Sequence, residues 1–79
     1  MDYATITARA EQALRDYLDM AAEHRAAANL SGECIARGAA LGVLSLWEGL
    51  VAELDASLEP AYLADREWLA ALIGPDASS

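Results

Sequence analysis

Between Cys34 and Leu58 the sequence reads CIARGAALGVLSLWEGLVAELDASL, about 25 residues with four charges (Arg37, Glu48, Glu53, Asp55) and no proline. A stretch of that length and composition is a helix that must be covered on most of its circumference. At 100° per residue two stripes separate. One is large and apolar, made of Ile35, Val43, Leu46, Trp47, Leu50, Leu54 and Leu58. The other is small: Gly38, Gly42, Ser45, Gly49, Ala52 and Ala56, at steps of 4, 3, 4, 3 and 4. Each mid-helix glycine lowers helix propensity by about 1 kcal/mol relative to alanine. Close approach of a second helix backbone is the gain that offsets this.

A first helix is expected from Asp2 or Thr5, as cap, to about Ala28. Its inward positions are Ala10, Leu14, Tyr17, Ala21, His24 and Ala28, joined by Ile6, Ala13 and Leu18. The opposite face carries Gln12, Asp16, Asp19 and Glu23. Asn29 is expected as a left-handed C-cap with Leu30 folding back on the helix. Ser31 is then the N-cap of the next helix, with Glu33 in its first turn. So short a connection makes antiparallel neighbours. The second helix is expected to stop near Leu58, because Glu59 precedes Pro60. A third helix over Ala61 to Ile73 follows, burying Tyr62, Trp68, Leu69, Leu72 and Ile73 and stopped by Gly74 and Pro75. The fold class is therefore all-α: a long antiparallel helical hairpin plus a shorter third helix. It forms one domain over 1–74, with a disordered tail at 75–79.

Seventy-nine residues bury a modest fraction of their surface, and with Cys34 as the single cysteine there is no disulfide to help. Tight packing or oligomerisation remains. The expectation is a homodimer built on the second helix, with Gly38, Gly42, Ser45 and Gly49 near the two-fold axis and Leu41 and Leu44 on the flank. The net charge of −8, from 13 acids and 5 arginines, opposes binding to nucleic acid or to an anionic membrane surface. No secretory signal is read at the N-terminus. The longest apolar run, Ala39 to Trp47, holds nine residues and is interrupted by Ser45, so no membrane span is expected. Together with the unpaired cysteine this predicts a cytoplasmic protein.

Chemistry-bearing residues are few. Glu23 and His24 are adjacent, so they point about 100° apart on a helix. His24 is expected as a partly buried histidine near a helix C-terminus. Cys34, near a helix N-terminus, has no partner base beyond His24, and is expected as a small hydrophobe in the seam. Neither a metal set nor a cofactor site can be assembled from these. Trp47-Glu48-Gly49 resembles the W-x-G signature of the small helical-hairpin proteins exported by type VII secretion. The chain departs from that family in placing the pair within a helix, and in having Arg66 where the family's C-terminal Y-x-x-x-[D/E] signal needs an acid after Tyr62.

The acidic stripe Asp16, Asp19 and Glu23 spans about 60° of the first helix, with carboxylates one turn apart at about 6 Å. A solvated face is its ordinary role. A row of that spacing also imitates phosphates along one nucleic-acid strand. The expected function is thus that of a small, acidic, non-enzymatic inhibitor borne by a phage or mobile element. It would block the nucleic-acid-binding surface of a basic protein partner. In size and charge the chain is similar to small anti-CRISPR proteins. The alternative is a structural or accessory subunit that completes a larger assembly through its apolar second helix.

Overall fold

The computed structural model describes residues 2–54 and 60–74. They form three α-helices: α1 (Tyr3–Ala26), α2 (Leu30–Glu53) and α3 (Pro60–Ile73). Among the described residues there is no strand. The long antiparallel hairpin with a shorter third helix is therefore present.

α1 starts where an acceptor is available for its free N–H groups: the Asp2 side chain accepts from the Thr5 backbone N–H at 2.8 Å. Hydrogen bonds from Thr5 hold the Asp2 carboxyl below its ordinary range. The buried residues of α1 are Ile6, Ala10, Leu14 and Ala21, all on the expected stripe. Tyr17, Leu18, Ala13 and His24 are half-buried beside them, whereas Ala28 is exposed.

The α1–α2 connection differs from the expected one. α1 ends at Ala26, and Ala28, not Asn29, takes the left-handed conformation at φ 58°. The backbone N–H of Asn29 donates to the His24 carbonyl and that of Ala28 to the Arg25 carbonyl, the paired bonds of a Schellman ending. This frees the Asn29 side chain to cap α2, where it accepts from the Gly32 N–H at 3.0 Å. Ser31 is consequently inside the helix, and Leu30 points to solvent. Gly32 has no room for a side chain, because a Cβ there would stand 2.5 Å from His24 Nδ1 and 2.8 Å from Asn29 Nδ2. Arg25 of α1 meets Glu33 of α2 at 2.6 Å across the same turn.

α2 is rotated relative to the large stripe. Its buried residues are Ala36, Ala40, Trp47 and Val51, with Val43 and Leu44 packed beside the core. Ile35, Leu46, Leu50 and Leu54, expected inside, are exposed, Ile35 by 74% and Leu46 by 63%. The small stripe is not inside either. Gly38, Gly42, Ser45, Gly49 and Ala52 are all exposed, and a Cβ built on any of the three glycines meets nothing within 4 Å. Among the described residues the seam therefore makes no close helix contact. Leu44, expected on a dimer flank, belongs to this chain's own core, and Cys34 is exposed. α2 ends at Glu53 with Leu54 as cap. Ala56, Leu58 and the expected tail 75–79 fall outside the described residues.

α3 lies along one side of the hairpin. Leu69 and Ile73 enter the core, Tyr62 and Leu72 are half-buried, and Trp68, expected inside, is exposed. Three polar ties hold it. Tyr3 Oη donates to Asp65 at 2.6 Å, Arg66 pairs with Glu48 at 2.9 Å, and Arg37 donates to the Ile73 carbonyl at the helix's C-terminus.

Candidate functional site

A helix pair has two long grooves, one on each side of the contact line. Here α3 fills one. The other stays open, and two adjoining hollows mark it. Toward the chain's first residues lies a hollow of about 190 Å³ between Ile6, Arg9 and Ala13 of α1 and Val43, Leu46 and Leu50 of α2. Toward the hairpin turn lies one of about 270 Å³ between Tyr17, Met20 and His24 of α1 and Ile35 and Ala39 of α2. The two share one face, because each set recurs at helical spacing on its own helix. Met20, Ile35, Leu46 and Leu50 form the exposed walls. The floor is the core itself, since Trp47 and Ala10 line the first hollow and Ala36 the second.

From Glu33 to Glu48 the charges of α2 avoid this face. Glu33 is engaged by Arg25, Arg37 by the end of α3, and Glu48 by Arg66. From Ile35 to Ala52 the open face and the glycine edge beside it carry no charged residue. Glu53 comes next on this stripe, seven residues after Leu46, and is exposed. On the α1 rim the charge is Arg9, also exposed. Among the described residues neither has an ion-pair or hydrogen-bond partner.

The acidic residues singled out from sequence border this face without lining either hollow. Asp16, Asp19 and Glu23 are all exposed on the edge of α1 turned away from α2, and Asp16 accepts from Gln12 at 2.9 Å. The acidic edge and the glycine edge are thus on opposite sides of the hairpin. His24 is half-buried at the turn, with its Nδ1 3.2 Å from the Asn29 amide nitrogen, so it braces the connection. Among the described residues no three metal-ligating side chains converge. α2 is, by length and composition, apolar enough to cross a membrane. The stretch extends well past the run from Ala39 to Trp47 because the glycines, serines and alanines around it carry no charge.

The open groove itself was not read from sequence. Its members are split between two helices and between two wheel positions on α2, so no spacing in the chain groups them.

One ionisable group departs far from its ordinary range. Burial, helped by the hydrogen bond to Asp65, pushes the Tyr3 hydroxyl up to about 12. Its neutral form is favoured in the fold, so its contribution is complete below pH 10 and is lost as the pH rises toward 12. The urea midpoint is expected to fall between pH 9 and 11.5, and Tyr3→Phe to flatten that fall. An equal fall in the variant would show that Tyr3 is not its source.

Comparison with protein-family models, with curated proteins and with solved structures finds no match.

Proposed function

We propose that this protein is a non-catalytic binding protein that completes a larger assembly by laying the open face of its hairpin against a partner. The observation that carries this reading is the groove opposite α3, walled by exposed Met20, Ile35, Leu46 and Leu50 over a stretch without charge. Isolated exposed leucines are ordinary, but a contiguous apolar face is the mark of an interaction surface. The lining also argues against an active site, which needs convergent polar groups, whereas this groove has Arg9 in one hollow, His24 and Tyr17 in the other, and hydrocarbon between them. Ile35→Glu and Leu46→Glu test the reading. Both side chains are exposed, so helicity should survive while capture of the partner from a cytoplasmic extract is lost. Capture at unchanged yield by a folded double variant would refute it.

A second reading keeps the acidic edge as the working surface, in an inhibitor that occupies the basic nucleic-acid-binding surface of its target. The exposure of Asp16, Asp19 and Glu23 along one strip favours it. Charge reversal of all three to lysine should leave the fold intact, because exposed charges contribute little. Under this reading the variant loses its target and wild-type binding weakens steeply with salt. Unchanged affinity in the triple variant removes this reading.

A further inference from the structure

We infer that the occupant of the open groove is a second copy of this chain, packed face to face about a two-fold axis parallel to the helices. The inference rests on the reading of that face as an interaction surface and names its partner.

The charge pattern selects the partner. An isologous interface must be complementary to itself, and a chain of net charge −8 repels its own copy across most faces. The α2 wall of the open face escapes that repulsion. From Ile35 to Ala52 that wall is uncharged, so Asp16 and Glu23, which follow Arg9 along α1 at seven-residue steps, meet a neutral wall of the counterpart and not its acids. At one end of the face stand one cation and one anion, Arg9 on the α1 rim and Glu53 on the α2 stripe, neither partnered among the described residues. Rotation about an axis along the helices lays α1 of one copy over α2 of the other at the same height. Arg9 then faces the Leu46–Leu50 wall and Glu53 of its counterpart, twice over. Helical side chains lean toward the N-terminus, and α1 and α2 run in opposite directions. The Arg9 and Glu53 side chains therefore lean toward each other's level.

Packing points the same way. With this axis every neighbouring pair in the resulting bundle (α1 on α2, α2 on the second α1) is antiparallel, the arrangement of an up-down four-helix bundle. The walls Leu46 and Leu50 of one copy enter the first hollow of the other, and Ile35 and Met20 the second. α3 stays on the outside of each chain. Exposed by 74%, 63%, 46% and 40%, Ile35, Leu46, Met20 and Leu50 leave roughly 450 Å² of side chain in water. Together with the groove floors and the alanines beside them this approaches the roughly 800 Å² per partner of a stable interface.

Light scattering on a sizing column across the micromolar range should find twice the 8.4 kDa chain mass. Arg9→Glu should weaken self-association at least about tenfold, Glu53→Arg likewise, and the double exchange should restore most of the loss, the signature of a direct pair. Leu46→Glu should give a folded monomer. Gly38→Leu, on the glycine edge beside the open face and outside its walls, should leave the dimer intact. A species of 8.4 kDa throughout overturns the inference, as does a dimer split by Gly38→Leu yet indifferent to Arg9→Glu. Recovery of the chain on phosphatidylcholine vesicles through Leu46, without a dimer, also overturns it. A monomer that still loses a captured partner on Leu46→Glu sinks the dimer alone and leaves the binding-face reading standing.

Discussion

Trp47→Ala is expected to remove about 3–5 kcal/mol of stability, the range for deleting a large buried aromatic side chain. A 79-residue domain has about 4–12 kcal/mol in total, so the variant should be largely unfolded at room temperature or melt at the onset of heating. The reason lies in how much converges on this residue. Trp47 is 1% exposed and sits where all three helices meet. Its ring stacks on Tyr62 of α3 with centroids 5.4 Å apart and planes 10° apart, and Tyr3 of α1 stands tilted against it at 6.4 Å. Its Nε1–H donates to the Thr7 hydroxyl at 3.0 Å. Alanine leaves a cavity that neither helix can close without dragging α3 from its seat. Trp47→Phe separates the contributions. It keeps most of the ring and loses the bond to Thr7, so a smaller cost of about 1–2 kcal/mol is expected. Urea unfolding followed by circular dichroism reads both. A Trp47→Ala variant within 1 kcal/mol of wild type would mean that the core is not centred on this side chain.

The opposite result is expected on the far edge of α2. Replacing Gly38, Gly42 and Gly49 together by alanine should stabilise the protein by about 1.5–3 kcal/mol, at 0.5–1 kcal/mol for each exposed mid-helix glycine. At 4–8 °C per kcal/mol for a domain of this size, the melting temperature should rise by roughly 6–24 °C. No steric cost opposes the gain, because each added Cβ enters open space. Gly32 is excluded, since a Cβ there would strike His24 and Asn29 at the hairpin turn. This experiment also decides between the two faces of α2. If the glycine edge packs against a second helix, three methyl groups push the backbones apart and the melting temperature falls.

For α1 the sequence alone determined the element and its buried stripe, and narrowed the N-cap to Asp2 or Thr5. Asp2 had an N–H to satisfy, and Gln12, Asp16, Asp19 and Glu23 marked the wet side so sharply that Ile6, Ala10, Leu14 and Ala21 had one way to turn. The third helix was placed by the same kind of punctuation, Pro60 in its first turn and Gly74 after it, with Gly74 at φ 106°. The turn differs from the expected one by one residue at its left-handed position and by two at the cap of α2, because Asn29 suits two roles and only the structure shows it used as that cap.

α2 is where sequence stopped deciding. A helix apolar nearly all round gives no polar side to aim outward, so its pattern offers several stripes of similar hydrophobicity. Both stripes that the spacing suggested face largely outward. The one that packs combines Ala36 and Ala40 with Trp47 and Val51. Those alanines let α1 come close, and the indole at that rotation reaches both Thr7 and Tyr62. Such a choice depends on partners from other helices, 40 residues from Trp47 in the case of Thr7. Hydrophobic periodicity within one helix therefore cannot contain it. The open groove follows from the same rotation: once Trp47 turns inward, Ile35, Leu46 and Leu50 are carried to the side that α3 leaves uncovered.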